Sequence, residues 1–344
     1  MGGIVHERTA HLLSLPKRIY PGKINRDNSG MHVLIPFAVC RDPAAQQTLS
    51  GLQLPHLTQL LARLTPLAPD VAEEDDLTLP HERALARVLG LPSGPQIPLA
   101  AWQASVKGLE VNTQAWAFIT PCHWNLGQAQ ITLDPPQLLA LDAAESRALL
   151  SAMQPYFEED GITLTYDAPE RWLAQGEVFR TLASAAPERV VGRGDIKAWM
   201  PASPVLRRLQ NEMQMLLYTH PVNETRVERR AYPVNSFWIS GSGALPTRIN
   251  VTAPPLIPLQ LMHAALQQDW PAWGQAWEQL DATVCADLLR LLDQRGQSGP
   301  SAQATLTLCG EQSAQTYITV PRSLLRKVFN IFRSDTMKTM RNQL

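Results

Sequence analysis

The chain has 344 residues, enough for two domains or for one large domain that carries an insertion. Hydrophobic residues make up 45% and charged residues 18%, a composition that supports a sizeable core and excludes intrinsic disorder. No apolar run reaches the ~18 residues that a transmembrane helix needs. The 30 basic and 31 acidic side chains leave a net charge of −1, which by itself indicates neither a nucleic-acid nor a membrane partner.

The first third of the chain predicts a short leader followed by one strand and two helices. Residues 1–30 are expected to be a poorly ordered basic leader, because proline, glycine and asparagine interrupt every periodic pattern. An apolar strand follows at 32–39. Leucines at helical spacing predict a helix from Leu57 to Leu64, and 81–89 predicts a short helix that Gly90 ends. Three prolines within 92–98 indicate a boundary between subdomains.

The middle of the chain predicts a small α+β unit. Strands are expected at 116–120, 130–133 and 162–166, with a further strand near Leu173. Asp142 is a typical N-cap for a helix that runs to about Phe157 with one apolar face. The order β-β-α-β indicates an inserted α+β domain over 99–185.

The last third predicts a long helix, a buried strand and further helices. Ser203 followed by Pro204 is a helix start, and the apolar spacing continues to about Thr219. A buried strand is expected at 234–239, and a last strand at 304–309. Trp270, Trp273 and Trp277 form one stripe of a helix, which is more typical of a core than of a partner surface.

The C-terminal segment 321–344 predicts a basic amphipathic helix. It carries six basic side chains against one acidic, beside an apolar face. Such a helix suits a polyanion or a partner protein, unless it docks on the core with its basic face in water. By segment, the charge is +3 over 1–30, −9 over 31–320 and +5 over 321–344, so a polyanionic partner should meet the ends of the chain.

Cysteine usage indicates a reducing compartment. The four cysteines, at 40, 122, 285 and 309, are widely spaced and contain no Cys-x-x-Cys pair. This spacing favours free thiols over a zinc site or a redox pair. No secretory signal pattern occurs in the first 30 residues, so we expect a cytoplasmic protein.

The most specific pattern lies between 220 and 243. It reads His-Pro-Val-Asn-Glu-Thr-Arg at 220–226, then Pro-Val-Asn-Ser-Phe-Trp at 233–238 and Gly-Ser-Gly at 241–243. It resembles the cofactor-independent phosphoglycerate mutases of the archaeal type, which show a similar His-Pro-Val-Asn-x-x-Arg and then proline, asparagine, tryptophan and Gly-x-Gly. Over nearly the whole chain from Met31, the sequence more closely resembles proteobacterial regulatory proteins of the RpfE type.

The resemblance implies an α/β fold with a degenerate alkaline-phosphatase-like core at 31–98 and 186–320. It also implies chemistry with two divalent metals, held by aspartate and histidine, and a serine or threonine that takes the phosphoryl group. This chain departs from that pattern, because Asp42 after the first strand is not in an Asp-Gly pair and His263 is the one histidine after Gly243. We therefore expect that metal binding and phosphoryl transfer are lost.

The resemblance also implies a ligand-binding cleft between the two domains. The predicted ligand-binding residues are His123, His220, Asn223, Arg226, Asn235, Trp238, Gly241, Ser242 and Gly243. Arg226 could present its guanidinium to a phosphate or carboxylate, or it could pair with a neighbouring glutamate. The Gly-x-Gly could form an anion-binding backbone nest or only a tight turn. His123 follows Cys122 directly, and adjacent residues of an extended segment face opposite ways, which disfavours a nucleophile–base pair.

Together the patterns predict a regulatory or ligand-binding protein derived from a cofactor-independent phosphoglycerate mutase. It would bind a small anionic ligand without a cofactor, and no residue is assigned a catalytic or metal-binding role. The alternative is a phosphoglycerate mutase or phosphatase that holds Mn²⁺ or Mg²⁺ through rearranged ligands. Those ligands would be Asp42, Asp134, His123 and His263, which should then converge within metal-bonding distance.

Overall fold

The computed structural model describes residues 31–127, 130–246, 254–294 and 303–320, so the predicted leader and C-terminal helix lie outside the described residues. The strands are β1 (Met31–Ile35), β2 (Thr65–Pro66), β3 (Asp70–Val71), β4 (Ala115–Cys122), β5 (Trp124–Leu126), β6 (Ile131–Leu133), β7 (Thr163–Ala168), β8 (Arg171–Gln175), β9 (Ser236–Ala244), β10 (Ala304–Cys309) and β11 (Ser313–Ile318). The helices are α1 (Pro43–Gly51), α2 (Pro55–Arg63), α3 (Pro80–Leu89), α4 (Leu99–Val106), α5 (Ala143–Glu159), α6 (Pro187–Val190), α7 (Pro204–Tyr218), α8 (Pro221–Glu228), α9 (Gln260–Leu266), α10 (Trp270–Leu280) and α11 (Ala286–Gln294). The fold is therefore mixed α/β, as the sequence predicted.

The first sheet joins the beginning and the end of the described chain. Its strand order is β1-β10-β11-β2, with β3 also on β11, and β1 runs parallel to β10. Strand β1 ends at Ile35, earlier than the predicted 32–39, because Pro36 follows and Phe37 adopts a φ of 52°. A residue with positive φ leaves the extended conformation, so the chain turns there.

Helices α9 and α10 share the first core with this sheet. Trp273 and Trp277 are fully buried, and their indole N–H groups donate to the carbonyls of Phe37 and Ala38 at 3.0 and 3.2 Å. The core interpretation of the tryptophan stripe is confirmed for these two residues. Their hydrogen bonds also hold the chain directly after β1 in place.

The second sheet is antiparallel, with the order β7-β8-β4-β9. Strand β9 pairs with β4 along its whole length, from Ser236 opposite Cys122 to Ala244 opposite Ala115. Helices α5 and α7 cover this sheet, and their apolar faces share a second core with β9. The predicted domain boundary at 185 would therefore separate β9 and α7 from β4, β7 and β8, with which they share a sheet or a core.

The predicted helix starts of this half are present. Asp142 caps α5 by accepting hydrogen bonds from the amides of Ala144 and Glu145, both at 2.8 Å. Ser203 caps α7 through the amide of Leu206, with Pro204 in the first turn. Side chains that compete for backbone amides favour these positions, which is why the starts could be predicted.

The cysteines and the helix lengths match the sequence expectations. All four cysteines, at 40, 122, 285 and 309, are buried free thiols. Among the described residues, no helix combines the length and the apolar character that a membrane crossing requires.

Candidate functional site

A cavity of about 480 Å³ lies between the two sheets. Its wall is formed by Pro36, by residues of α3, α4, α6 and α9, by strands β4 and β9, and by the β7–β8 hairpin. Pro36 directly follows the carboxyl end of β1, and such ends are where α/β sheets commonly bind ligands. The apolar part of the wall comprises Leu85, Leu99, Phe118, Ile257, Leu259 and Met262. The cavity meets solvent beside Val106, which is 46% exposed.

An aspartate of the cavity wall is neutralised by two basic side chains. The carboxylate of Asp167 is 4% exposed and pairs with Lys107 Nζ at 2.6 Å and with Arg171 Nη2 at 2.8 Å. Burial acts to raise the pKa of Asp167, but Arg171 and Lys107 together hold it below its usual value. Asp167 is therefore ionised at neutral pH, and its two partners are already engaged.

Three glutamates of the wall, Glu82, Glu170 and Glu188, take part in none of the ion pairs found among the described residues. Burial raises the pKa of all three carboxyls, to about 8 for Glu82. Repulsion from Glu188 raises the pKa of Glu82 further, while the Leu79 amide, which donates to Glu82 Oε2 at 2.8 Å, opposes this shift. Carboxyls perturbed in this way are concentrated at functional sites.

Two histidines of the wall are neutral at physiological pH. Burial lowers the pKa of His81 to about 4, and the charge of Arg83 lowers it further. Burial also lowers the pKa of His263. The imidazoles thus add no positive charge that would balance the three glutamates.

Two amide side chains of the wall have acceptor oxygens without a partner. Gln103 is 4% exposed, and its Nε2 donates to Asp167 Oδ1 at 3.3 Å. This contact fixes the orientation of the amide, because only its NH₂ group can face a carboxylate. The Oε1 atoms of Gln103 and Gln137 are shielded from solvent and accept no hydrogen bond from the described residues. An unsatisfied buried acceptor costs about 1–3 kcal/mol, so a hydrogen-bond donor entering the cavity would be stabilised.

The structure does not gather the nine predicted ligand-binding residues around this cavity, and of these only Gly241 lines it. His123 contacts the Pro233 carbonyl through Nδ1 at 2.9 Å, and its ring packs on Tyr232. Asn235 bonds the backbone of Trp124 in both directions, at 2.7 and 2.9 Å. Both side chains hold the segment before β9 against the end of β4.

The predicted His220–Arg226 segment is a helix start and not the end of the long helix. His220 caps α8 by accepting from the amide of Val222 at 3.2 Å, and Pro221 occupies the first turn. The Arg226 side chain is fully buried, where it donates to Glu145 Oε2 and the Tyr232 carbonyl, both at 2.7 Å. It also donates to the Leu139 carbonyl. Arg226 thus forms an ion pair within the chain, but its partner is Glu145 and not Glu224 or Glu228, the neighbours that the sequence offered.

The Gly-x-Gly lies inside β9 and is not a turn that leaves the sheet. The register against β4 shifts by one residue between Phe118, opposite Ser240, and Trp116, opposite Gly243. Gly241 has a φ of +60°, and a Cβ there would lie 2.7 Å from the Phe118 ring. A β-bulge with a glycine explains both the spacing and the close approach.

The remaining motif residues are also engaged within the chain. The Trp238 indole N–H donates to the Ala185 carbonyl at 2.8 Å. The Ser242 hydroxyl lies 3.0 Å from that of Ser184 and donates to the Leu182 carbonyl. These bonds tie β9 to the segment 182–185.

Asn223 provides the clearest test of a structural role for this motif. Its amide bonds three backbone groups, the carbonyls of Leu217 and Val234 at 2.8 and 2.6 Å and the Val234 amide at 2.8 Å. Asn223→Ala should lower the free energy of unfolding by about 2–3 kcal/mol in urea denaturation, because these buried groups lose their partner. The exposed Asn211→Ala on α7 is the control and should change it by less than about 0.5 kcal/mol. Equal stability of the two variants would contradict the structural role.

In the part of the chain that the structure describes, the side chains do not fit the two-metal site that the resemblance implies. Among the described residues, no group of three or more histidine, cysteine, aspartate or glutamate side chains could hold a metal ion. Asp42 caps α1, and His263 lines the cavity. Asp134 lies beside His123, where its backbone amide donates to the His123 carbonyl at 3.1 Å, but no three of the four alternative ligands form such a group among the described residues. Accordingly, no metal-dependent step can be derived from these residues.

Sequence reasoning missed the polar residues that line the cavity. These are Glu82, Gln103, Gln137, Asp167, Glu170 and Glu188. The one available signal was the run of polar residues between the strand predicted at 162–166 and the strand predicted near Leu173. The rest lie on helices whose polar positions resemble ordinary solvent-facing ones in the sequence.

Comparisons with known proteins give similarities at low identity. No protein-family model and no curated protein matches this sequence. A cofactor-independent phosphoglycerate mutase from Thermoplasma acidophilum is similar at 14% identity and a TM-score of 0.33, over 84% of this chain and 88% of that chain. The PH0037 protein from Pyrococcus horikoshii is similar at 11% identity and a TM-score of 0.47, over 85% and 87%. With TM-scores below 0.5, neither structure assigns an activity or a ligand to this chain.

Proposed function

We propose that this protein is a regulatory protein that binds a small molecule in the cavity between its two sheets. The cavity itself carries the proposal. Its volume of about 480 Å³ falls within the range of small-molecule sites, and its wall combines apolar side chains with a few polar ones. The perturbed carboxyls on this wall distinguish it from a packing defect, since a void in a core is normally apolar.

The position of the cavity supports a regulatory role. Met262, which belongs to the first core, and Ser240, which belongs to the second sheet, both line the cavity. A ligand that contacts both the first core and the second sheet binds more tightly to one arrangement of these two parts. Such a difference in affinity is what allows a ligand to shift a conformational equilibrium. Binding would thereby change the surface that the protein presents to a partner. That residues 321–344 bind a polyanion or a partner protein remains a prediction, because this segment lies outside the described residues.

The proposal includes descent from a cofactor-independent phosphoglycerate mutase without its phosphoryl transfer. The resemblance at 220–243 supports the descent. The chain's departure from the Asp-Gly pattern supports the loss. With 3-phosphoglycerate and Mn²⁺ or Mg²⁺, we expect no 2-phosphoglycerate in a coupled assay with purified protein. Isomerisation at an enzymatic rate would overturn the non-catalytic part of the proposal.

A cavity-filling variant tests the site. Ala168 lies on the cavity wall, so Ala168→Trp should occupy space that a ligand needs. We expect a thermal-shift screen of diverse small molecules to stabilise the wild-type chain, because a ligand that binds only the folded state raises its stability. Ala168→Trp should abolish these shifts, whereas Ala68→Trp, at an exposed loop position, should retain them.

The screen has two outcomes that would contradict the proposed site. One is that no compound shifts the wild-type transition. The other is that compounds stabilise Ala168→Trp as strongly as the wild type, which would place binding elsewhere. Circular dichroism of both tryptophan variants checks that they are folded before the comparison is made.

A further inference from the structure

We propose that the ligand of this cavity is an amphipathic organic cation, an amine or guanidine attached to an apolar body. This inference rests on the proposed function, because it assigns a chemical class to the same site. It replaces the anionic ligand that the sequence predicted. Three independent properties of the wall lead to it: its charge, its unpartnered acceptors and its apolar surface.

The first property is an excess of carboxyl groups. The wall contains four carboxyls and two basic side chains, and both bases are paired with Asp167. This leaves Glu82, Glu170 and Glu188 without an ion-pair partner among the described residues. An anion would find no unengaged basic group on the described wall, whereas a cation favours the ionised form of these carboxyls and supplies the counter-charge that they lack. Nearby opposite charge stabilises an ionised carboxyl at a buried site more strongly than at the surface.

The second property is the pair of unpartnered amide oxygens. Gln103 is nine-tenths buried, lines the cavity and has no donor for its Oε1 among the described residues. Gln137, on the 3₁₀ turn at Pro136–Leu139, has an equally unpartnered Oε1. An ammonium or guanidinium group carries several N–H donors and no acceptor. Such a group can serve an amide oxygen and a carboxylate together, which a carboxylate or phosphate ligand cannot.

The third property is the apolar surface beside these acceptors. Leu85, Phe118, Ile257 and Met262 lie on the same wall. Burying an apolar body against them contributes about 25 cal/mol per Å² of surface removed from water. A bare inorganic cation would gain none of this, and the described residues offer it no group of metal ligands. An apolar body with one cationic end satisfies all three properties.

The test compares three indole compounds of similar shape that differ in charge. These are tryptamine (cationic), tryptophol (neutral) and indole-3-propionate (anionic), each titrated calorimetrically into the full chain at pH 7.5. We expect tryptamine to bind at least about tenfold more tightly than either of the others, a ratio that charge-assisted hydrogen bonds to buried acceptors readily supply. In the double variant Glu170→Gln/Glu188→Gln, this preference should fall to within about twofold.

The matched control is Glu228→Gln/Glu278→Gln, which removes the same charge at two exposed positions outside the cavity wall. It should keep the tryptamine preference. The inference is overturned if indole-3-propionate or tryptophol binds as tightly as tryptamine, if no compound binds, or if the preference survives in the cavity double variant. The proposed function is judged separately, by whether Ala168→Trp abolishes the shifts of the small-molecule screen.

Discussion

Replacing Arg226 with methionine should lower the free energy of unfolding by about 2–4 kcal/mol, because the Leu139 and Tyr232 carbonyls lose their donor and Glu145 keeps only Arg229 and the Asp142 amide. The guanidinium is fully buried and bonds Glu145, Tyr232 and Leu139 at once. These contacts join α8 to the first turn of α5. Methionine has a similar length but no donor, so packing is retained while the hydrogen bonds are lost. Urea denaturation measures the loss.

The two interpretations of Arg226 predict different outcomes for this variant. An arginine that faces a ligand would be dispensable for stability, and its loss would weaken binding alone. We expect the reverse, with the remaining folded protein keeping its affinity for compounds from the screen. Arg207→Met, at an exposed position of α7, is the control and should change stability by less than about 0.5 kcal/mol. A stable Arg226→Met variant that no longer binds would contradict our structural assignment.

Replacing Glu82 with glutamine should stabilise the protein, and increasingly so as pH rises. The folded pKa of Glu82 is raised from 4.5 to about 8. Between these pH values the unfolded chain ionises Glu82 while the folded chain keeps it protonated, so the wild type loses stability as pH rises. Glutamine does not ionise, and its oxygen can still accept from the Leu79 amide. At pH 8 we expect a gain on the order of 4 kcal/mol, because the pKa rises from 4.5 to about 8 and each pKa unit corresponds to about 1.4 kcal/mol.

The pH dependence separates this effect from a change in packing. Near pH 5 the variant and the wild type should have nearly equal free energies of unfolding, and the difference should grow towards pH 8. The groups around Glu82 are Glu188, Arg83 and Arg189, which both proteins share. Glu278→Gln, at an exposed position, should show no such trend. A Glu82→Gln variant no more stable than the wild type at pH 8 would show that this carboxyl is not held protonated by burial.

A stabilising substitution at Glu82 would support a functional cavity. Residues that reduce stability persist where function needs them, and binding sites are common examples. An acidic side chain in an apolar wall has no evident packing role that glutamine could not fill. The increase in the free energy of unfolding would then measure how much the Glu82 carboxyl destabilises the wild-type protein.

Much of the local structure could be predicted from the sequence, because local chemistry determines it. Asp142 and Ser203 begin α5 and α7 as expected, and Gly90 ends α3 in the left-handed conformation. Caps of this kind act within one helical turn, so a single sequence contains the whole signal. Strand β1 was predicted too long, because the positive φ of Phe37 depends on contacts with α10 that lie far away along the chain.

The long-range pairing could not be predicted in the same way. A boundary at 185 followed the sequence order of the elements, yet β9 returns to pair with β4 across more than a hundred residues. Nothing local to β9 specifies that partner. The pairing instead depends on the buried faces of both strands and on the bulge at Gly241.

The candidate site was misplaced for a related reason. The motif at 220–243 is dense in polar and glycine residues, which suggested a ligand site, but its polar groups bond backbone atoms within the chain. The cavity residues come from separate helices and one hairpin, so no spacing in the sequence connects them. The sequence predicted a cleft between a domain at 99–185 and the rest of the chain, and it identified neither the cavity between the two sheets nor most of the side chains that line it.

The most direct test of the cavity as the binding site is methyl NMR of the methionine-labelled protein with the tightest binder from the screen. Met262 lies on the cavity wall, whereas Met213 belongs to α7 and is buried in the second core. Met262→Leu and Met213→Leu assign the two signals. We predict that the ligand shifts the Met262 methyl resonance and leaves that of Met213 unchanged. A shift at Met213 with none at Met262 would contradict the account.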